Sequence, residues 1–357
     1  MDLKQREKVT LALSFIAYTG FTDTEPEKVF DELKAVLKFF DPYIGKYHIV
    51  WGPAAHKLEL EKFDDGLMFV VQDKENPEQY TVVIRGTNPV SLASWVFEDL
   101  WVREQSQWAT GSAPEGAKIS DSTRLALSIL QDTRPSSGMP GEGTSILEFL
   151  SDAINNSSEK ITVVVTGHSL GGAIAPTLAL WLSDVAPGCW VQDKADIYAF
   201  TYAGPTAGNK EFAQYSDSIL GEKCYRFANY YDVVTHAWNE DSLKQVDILY
   251  DPIPLGVFDI IIDLACKSVE GKGYTQIEQK QAIGSQVVTF LDNFPEQMIY
   301  QHIGPYIIRL IKLISESNKD IDVDELIGAL EIKKLIEHSP LYKHWDEFMD
   351  FMRQKAV

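Results

Sequence analysis

The sequence predicts an α/β fold in which a mostly parallel central sheet is flanked by helices on both faces. Strand-like and helical segments alternate between residues 66 and 228, which is the order of successive βαβ units. Residues 160–166 (KITVVVT) form a continuous β-branched run that is typical of a parallel strand buried on both sides. A glycine follows this run at once, and residues 173–182 (AIAPTLALWL) then indicate a buried helix.

The individual elements are predicted in chain order from periodicity and turn residues. Residues 1–40 carry apolar positions at helical spacing. Asn76 and Pro77 supply a turn between two strand-like segments, which predicts a hairpin that joins the larger sheet. The predicted strands cover 66–73, 80–85, 160–166, 196–202 and 223–228. The predicted helices beyond residue 40 cover 122–130, 146–154, 173–182, 255–265, 305–314 and 323–336.

Length and composition indicate one large domain. The chain has 357 residues, of which 45% are hydrophobic, so a sizeable core is possible. No run of about 18 uncharged apolar residues is present, so no membrane-spanning helix is predicted. No linker divides the chain, and we predict a single domain of four consecutive parts. These are an N-terminal helical segment (1–60), a core (61–251), a helical cap insertion (252–300) and a C-terminal segment with a helical tail (301–357).

The charge balance is strongly acidic. The chain holds 32 Lys and Arg against 52 Asp and Glu, a formal net charge of -20. Because like charges repel, this balance disfavours binding to the phosphate backbone of nucleic acids, and no nucleic-acid partner is expected. It equally disfavours docking on an anionic membrane by electrostatics alone.

Cysteine usage predicts neither a disulfide framework nor a metal site. Cys189, Cys224 and Cys266 are widely spaced, odd in number and not arranged as C-x-x-C. No cofactor and no metal are expected.

The N-terminus has some features of a secretory signal. An apolar stretch at 9–21 follows Lys4, Arg6 and Lys8. However, acidic residues interrupt the leader and no A-x-A cleavage site follows, so an amphipathic helix is the better interpretation. A cytoplasmic location is expected by default, and secretion without a cleavable signal is the alternative.

The segment 166–172 (TGHSLGG) contains the pattern G-x-S-x-G at a predicted strand-to-helix junction. Such a turn is so sharp that the serine adopts a strained backbone conformation, and glycines two before and two after remove clashing Cβ atoms. It predicts Ser169 as a nucleophile, with the backbone N–H of Leu170 facing a developing oxyanion. The alternative is a glycine-rich turn that binds phosphate, but no G-x-x-x-x-G-K-[ST] pattern is present.

An acid and a base are expected downstream of the nucleophile. Asp232 comes just beyond a predicted strand, where catalytic groups of parallel sheets collect, and Asp247 and Asp251 are the alternatives. Among the histidines, four are set aside: His48 and His56 precede the core, His168 points away within the turn, and His236 is too close to Asp232. The residues alone leave His302, His338 and His344 open as the base.

At this point the chain resembles the class 3 lipases, the fungal triacylglycerol-lipase type, and within them the bacterial branch. The resemblance covers about residues 65–310 and rests on four blocks in order. They are VVIRGT (82–87), VTGHSLGGAIA (165–175), YAGPTAGNKEFA (202–213) and RFANYYDVV (226–234).

The resemblance implies an α/β-hydrolase fold and a role for several residues. Thr87 would supply a backbone N–H to the oxyanion hole, with Leu170 as the second donor. Asp232 would be the acid of a Ser-Asp-His triad. The block around His302, a histidine followed shortly by tyrosine and a helix, favours His302 as the base, with His338 as the alternative.

A lid over the site is expected from the same resemblance. Trp95 stands where family members carry a lid tryptophan, and Leu92 shares its helical face in the segment 89–100. The apolar segment 255–265 is a second lid candidate, although it equally suits a core helix.

The implied function is hydrolysis of carboxylic esters by a triacylglycerol lipase acting on a lipid or small ester, in some cases at a lipid–water interface. A short-chain carboxylesterase and a phospholipase A1 are the alternatives within this chemistry, and an amide-cleaving peptidase shares the triad. A catalytically inactive lipase-like interaction protein is the alternative of another class. No obligate protein partner is inferred.

Overall fold

The structure is a computed structural model that describes residues 1–21, 25–56, 66–86, 100–191, 193–277, 280–318 and 321–356. All structural statements below concern these residues. The strands are Tyr47–His56 (β1), Gly66–Asp73 (β2), Gln79–Ile84 (β3), Gln105–Gln107 (β4), Lys118–Ser120 (β5), Ile161–His168 (β6), Ala195–Tyr202 (β7), Cys224–Asn229 (β8) and Lys280–Ile283 (β9).

The α-helices are Leu3–Ile16 (α1), Pro26–Ile44 (α2), Asp121–Asp132 (α3), Ile146–Asn156 (α4), Leu170–Cys189 (α5), Lys210–Leu220 (α6), Val233–His236 (α7), Glu240–Leu243 (α8), Phe258–Val269 (α9), Phe294–Ser315 (α10), Val323–Ala329 (α11), Ile332–Ile336 (α12) and Trp345–Ala356 (α13). Short 3-10 turns cover Leu100–Arg103, Gly221–Lys223, Lys244–Ile248 and Pro340–His344.

The main sheet has seven strands in the order β1-β2-β3-β6-β7-β8-β9. The β1–β2 and β2–β3 pairs are antiparallel, and every pair from β3 to β9 is parallel. The predicted hairpin and the predicted mostly parallel sheet are therefore confirmed. Because the parallel strands all end at one edge, the segments that follow β3, β6, β7 and β8 meet there.

Two apolar clusters cover the two faces of the sheet. Strand β6 is central, and Val164 belongs to one cluster while Val163 and Val165 belong to the other. This alternation explains the three consecutive valines at 163–165, since side chains on both faces are buried. Helices α1, α2 and α10 contribute to the first cluster, and α3, α4 and α5 to the second.

Two strands lie in segments for which the sequence predicted only helices. Strand β1 falls in the N-terminal part (1–60), and β9 falls in the predicted cap insertion (252–300). Strand β1 opens with the strand-like residues 47–51 (YHIVW), but Gly52 and Pro53 interrupt this run. Strand β9 is four residues long with an exposed lysine at its start, so pairing with its neighbour rather than its own pattern determines its structure.

Helix α10 begins at Phe294, although the sequence predicted a helix from residue 305 with a loop before it. The prediction was wrong because a proline is usually found at the start of a helix. Pro305 instead lies inside the helix, where it has no N–H for the carbonyl of Gln301. That carbonyl accepts a hydrogen bond from Nδ2 of Asn229 at 2.9 Å, which compensates for the missing helical bond.

In the described ranges, none of the helices is both long enough and apolar enough to cross a bilayer. The segment 255–265, which the sequence offered as a lid or a core helix, largely coincides with α9. One face of α9 is buried through Phe258, Ile262, Ala265 and Val269.

Candidate active site

Ser169 lies between the end of β6 and the start of α5. Its backbone has φ 62° and ψ -126°, a conformation that is strained for any residue with a Cβ atom. Its N–H donates to the carbonyl of Tyr202 at 2.9 Å, which fixes the turn to the next strand. This is the strand–turn–helix arrangement expected for G-x-S-x-G.

The glycines around Ser169 are needed because backbone segments approach closely. A Cβ atom on Gly167 would lie 2.5 Å from the carbonyl group of Gly171, and one on Gly171 would collide with the carbonyl oxygen of Ile84. Side chains at these positions would push β3, β6 and α5 apart. The predicted steric reason for the two glycines is thus present in the structure.

Asp232 caps the N-terminus of the short helix α7, just after β8. Its Oδ1 accepts the N–H of Val234 at 3.0 Å, and its Oδ2 accepts the hydroxyl of Tyr306 at 3.0 Å. Both carboxylate oxygens lie 3.0 Å from Nδ1 of His302. The carboxylate is fully buried, so these donors replace the water that would otherwise solvate it.

His302 lies in the middle of α10 and is also fully buried. Its Nδ1 faces Asp232, which leaves Nε2 free of any hydrogen-bond partner in the part of the chain that the structure describes. The hydroxyl oxygen of Ser169 is likewise buried and without a partner there. The two residues predicted to exchange a proton are thus among those whose buried polar atoms lack a partner in the described ranges.

His168 links the turn to the helix that carries His302. Its Nε2 lies 2.9 Å from the carbonyl oxygen of His302, and the two rings are 4.6 Å apart. Since Ser169 is the next residue in the chain, this contact brings the turn beside His302. Nδ1 of His168 lies 3.2 Å from the hydroxyl of Tyr18 on the N-terminal segment. Burial, together with the nearby His302, holds the pKa of His168 well below 6.5.

A second layer of hydrogen bonds supports Asp232 and His302, and sequence reasoning missed it. The hydroxyl of Tyr306 donates to Asp232 and accepts the backbone N–H of Asn229 at 3.0 Å. The side chain of Asn229 donates to both the carbonyl and the Oε1 atom of Gln301 at 2.9 Å. Burial, reinforced by the Asp232 charge, raises the pKa of Tyr306 well above its usual range, so the hydroxyl stays protonated. The sequence contained one indication of the role of Tyr306, because this residue lies four positions after His302 and therefore on the same helical face.

The residues proposed for the oxyanion hole are only partly described. Leu170 is the first residue of α5, so its N–H has no acceptor within the helix. Gly86 packs against the turn, and a Cβ atom on it would lie 3.0 Å from the Cβ atom of Ser169. The chain that leads to residue 87 therefore passes beside Ser169. Thr87 itself and the lid candidates Leu92 and Trp95 lie outside the described residues.

Within the described residues, no side-chain hydrogen bond or ion pair joins His236, His338 or His344 to Asp232. His338 is exposed between α12 and the 3-10 turn at Pro340–His344. Nε2 of His344 lies 3.3 Å from the buried carboxylate of Glu296, which Lys343 contacts at 2.5 Å. His236 is hydrogen-bonded to the hydroxyl of Ser242 at 2.7 Å.

The alternative acids are also placed differently from Asp232. Asp247 and Asp251 are both exposed on the segment after α8. Of the candidate acids and bases, the structure brings together Asp232 and His302.

Comparisons with known proteins identify the family to which the chain is similar. The family model described as lipase (class 3) matches residues 81–242. The crystal structure of M37 lipase is similar to this chain with a TM-score of 0.81 and 36% sequence identity, over 90% of this chain and 97% of that one. Because the match covers nine tenths of this chain, the similarity extends well beyond the motif.

Two further relatives match less completely. The chloroplastic phospholipase A1-Igamma1 of Arabidopsis thaliana is 39% identical over 77 residues, which is 21% of this chain but only 15% of that protein. The nonglycosylated LIP2 lipase of Yarrowia lipolytica has a TM-score of 0.51 at 16% identity, over 80% of this chain and 81% of that one. The second similarity concerns the α/β-hydrolase fold alone.

Proposed function

The chain belongs to the class 3 lipase family, and from this premise we propose that it hydrolyses carboxylic esters of lipids through an acyl-enzyme on Ser169. One observation carries the proposal: Asp232 contacts Nδ1 of His302 at 3.0 Å, while Nε2 of His302 and the hydroxyl of Ser169 are both buried without partners. Nε2 of His302 is therefore available to accept a proton, and the hydroxyl of Ser169 is available to donate one, because neither has a partner among the described residues.

In the proposed reaction, Nε2 of His302 takes the proton from the Ser169 hydroxyl as its oxygen attacks the ester carbonyl. Asp232 accepts a hydrogen bond from Nδ1–H, which selects the tautomer with a free Nε2 and stabilises the imidazolium that forms. The carbon–oxygen bond to the alcohol then breaks, and the imidazolium returns its proton to the departing alcohol. Water attacks the resulting acyl-enzyme, again with His302 as the base, and releases the acid.

The negative charge on the carbonyl oxygen would be stabilised by backbone donors. Leu170 supplies the N–H at the start of α5, where the helix dipole adds partial positive charge. Thr87 is the second proposed donor, by resemblance to the family. Loss of one such donor typically costs about 3 kcal/mol in the activation barrier.

Two residues outside the proposed triad support the positioning of the base. Tyr306 holds the carboxylate of Asp232 through Oδ2, so the carboxylate cannot turn away from His302. His168 donates from Nε2 to the His302 carbonyl when Nδ1 accepts the hydroxyl of Tyr18. Both hydrogen bonds restrain His302 without contact with the reacting atoms.

The proposed substrate is a triacylglycerol. Ser169 is only 1% exposed, so part of the chain that covers it must move before a substrate enters. A cover that opens at a lipid surface suits an enzyme of insoluble esters. The match to a phospholipase A1 over 77 residues favours release of an acyl chain from a phospholipid as the second candidate.

The experiment is an ester series assayed on the wild type and on matched variants. We would measure hydrolysis of p-nitrophenyl esters from short to long chains, emulsified trioleoylglycerol, and phosphatidylcholine labelled in one acyl chain. Ser169→Ala should lose nearly all turnover. Ser183→Ala is the control on the same helix, because its hydroxyl donates to the Ala179 carbonyl at 2.9 Å, away from the proposed triad.

Labelling would test the nucleophile directly. A fluorophosphonate should modify Ser169 of the wild type, as located by peptide mass spectrometry, and should leave His302→Ala unmodified. The proposal fails if the wild type hydrolyses none of these esters, or if Ser169→Ala keeps the wild-type rate. Selective release from the labelled phospholipid, with little action on trioleoylglycerol, would favour the second candidate.

A further inference from the structure

Exposed apolar side chains are unevenly distributed over the molecule. Nine large hydrophobic side chains are exposed among the described residues. Five of them lie between residues 230 and 264, namely Tyr230, Ile248, Val257, Ile260 and Leu264. The remaining four are Met1, Leu3, Val191 and Ile219. A concentration of this kind is unusual on a surface where single exposed hydrophobic residues are the norm.

Helix α9 and the residue before it hold three of these side chains in a stripe. Val257 is 72% exposed, Ile260 is 68% exposed, and Leu264 is also exposed. Their spacing of three and four residues places them on one side of the helix. The buried face of α9 is already apolar, so this helix presents a second apolar face where a surface helix normally carries polar residues. We call Val257, Ile260 and Leu264 the apolar stripe.

The apolar stripe lies at the end of the sheet where Ser169 is found. Helix α9 is reached from the carboxyl end of β8, and it packs through Phe258 on Phe294, at 5.2 Å between ring centroids. Phe294 is the first residue of α10, the helix that carries His302. By contrast, Val191 and Ile219 come just before β7 and β8 begin, so they lie at the opposite end of the parallel strands.

Acidic residues flank the apolar stripe. Asp259 and Asp263 lie on α9 itself, beside Asp247 of the neighbouring 3-10 turn, and Lys267 is the cation in the last turn of the helix. Burial, followed by the charges of Asp259 and Asp263, raises the pKa of Asp247, so the three carboxyl groups are within electrostatic range of one another. Arg103 and Lys244 also lie beside α9, but these three carboxyl groups, on a chain of net charge -20, are repelled by anionic lipid headgroups.

We propose that the apolar stripe is the surface by which the enzyme docks on the uncharged surface of emulsified triacylglycerol. This proposal rests on the proposed lipase function. It adds which face of the enzyme contacts the surface of the triacylglycerol droplet. The exposed apolar side chains would enter the oil surface, while the acidic flank remains in water and excludes anionic interfaces. Docking by this face also turns the carboxyl ends of the strands, and thus Ser169, toward the lipid.

The experiment separates docking from catalysis. In a Ser169→Ala background, which cannot consume the substrate, the double variant Val257→Ser/Ile260→Ser would be mixed with a trioleoylglycerol emulsion and recovered by flotation. The control is Val191→Ser/Ile219→Ser, which removes the same two residue types from exposed positions at the opposite end of the sheet. We expect adsorption of the first variant to weaken by at least about tenfold and adsorption of the control to stay at the parent level, because adsorption scales with buried apolar area.

Three outcomes would overturn the proposal. The first is equal flotation of both double variants. The second is stronger binding of the parent to phosphatidylglycerol vesicles than to the emulsion. The third is a dimer of the parent, seen by analytical ultracentrifugation without lipid, that Val257→Ser/Ile260→Ser converts to a monomer, because the stripe would then join two copies.

Failure of the lipase proposal itself would look different. With Ser169 intact, Val257→Ser/Ile260→Ser should hydrolyse soluble p-nitrophenyl butyrate at the wild-type rate and lose only the rate on the emulsion. If the wild type fails on the soluble ester as well, the proposed ester hydrolysis is wrong, whatever the flotation result.

Discussion

The ring of His168 packs against the ring of His302 with 4.6 Å between centroids, and its Nε2 atom lies 2.9 Å from the His302 carbonyl oxygen. His168 therefore occupies the space between the serine turn and the helix of the proposed base. A charged imidazole there would lose its hydration and face a second histidine. The fold consequently keeps His168 neutral, and this has a measurable effect on stability.

We expect the free energy of unfolding to depend on pH through His168. Its folded pKa is well below 6.5, whereas the unfolded residue titrates near 6.5. As the pH falls below about 6.5, the unfolded state takes up a proton that the folded state does not bind, so stability is lost, by at most about 1.4 kcal/mol per pH unit. Above that range the contribution of His168 is constant.

Urea unfolding between pH 5 and 8 would measure this effect. The variant His168→Gln should show a smaller loss of unfolding free energy below pH 6.5 than the wild type. Equal slopes for the two proteins in that range would contradict the assignment of a depressed pKa to His168.

The strained backbone of Ser169 should be visible as a difference between two inactive variants. Ser169→Ala and Ser169→Gly both remove the hydroxyl, but only glycine adopts φ 62° and ψ -126° without steric cost. We expect Ser169→Gly to be more stable than Ser169→Ala by about 1 kcal/mol, since left-handed strain exceeds the entropy cost of glycine. Chemical denaturation of both variants measures this difference in the free energy of unfolding. A glycine variant that is less stable than the alanine variant would rule out strain at this position.

Tyr306→Phe should impair turnover through Asp232. The change removes the donor at 3.0 Å from Oδ2 and the acceptor of the Asn229 N–H, so the carboxylate is held less firmly against His302. We expect kcat on a soluble ester to fall about tenfold, equivalent to ~1.4 kcal/mol in the barrier, with little change in KM. The pH profile of kcat/KM should shift as well, because the field at His302 changes.

The matched control for that variant is Tyr300→Phe. Tyr300 is buried on the same helix, yet its ring packs on Phe348 and Phe351 rather than beside Asp232. It should keep the wild-type kcat. If both variants lose activity equally, the effect reports general damage to α10 and the role of Tyr306 in holding Asp232 is wrong.

The ion pair between Glu7 and Arg309 should stabilise the contact of α1 with α10. Nε and Nη2 of Arg309 lie 2.6 and 2.8 Å from the carboxylate oxygens, and Glu7 is buried. The hydrogen bonds to Glu7 also raise the pKa of Arg309. Arg309→Leu would leave a buried carboxylate unpaired, and we expect a loss of about 2 kcal/mol, less than for a fully buried pair because Arg309 is partly exposed.

An exposed pair provides the comparison for Arg309→Leu. Arg353 contacts Asp324 with a similar paired geometry, but both side chains are about half exposed to solvent. Arg353→Leu should therefore destabilise the protein far less than Arg309→Leu in the same urea titration. Equal losses would show that burial of Glu7 does not matter.

Much of the fold could be predicted from the sequence because its strongest signals are local. The β-branched run at 160–166 and the glycines around Ser169 are determined by burial and steric contact within a few residues. The position of Asp232 after a strand followed from the parallel sheet. These features predicted the pairing of Asp232 with a downstream histidine, and the resemblance favoured His302 among three.

The features of the fold and of the site that the sequence did not predict depend on contacts between distant segments. Strand β9 has too few residues for a pattern of its own and is specified by pairing with β8. Tyr18 and His168 meet only because the N-terminal segment packs over β6. The position of Pro305 inside a helix could be predicted only from its relation to Asn229, which lies on another element. Such partners leave no periodic signal along the chain.

The carbonyl of Gln301 accepts a hydrogen bond from the side chain of Asn229 instead of from a backbone N–H at position 305. Positions 229 and 305 therefore depend on each other, although they are far apart in the sequence. Asn229 satisfies the carbonyl that Pro305 leaves without a helical donor. Replacing Asn229 alone would leave the buried carbonyl oxygen of Gln301 without a hydrogen-bond donor. The variant Pro305→Ala would instead give that oxygen two donors, the backbone N–H of residue 305 and the side-chain amide of Asn229. Homologues that diverge at one of these sites should consequently diverge at the other, so the pair is expected to behave as an epistatic unit in evolution and in engineered libraries.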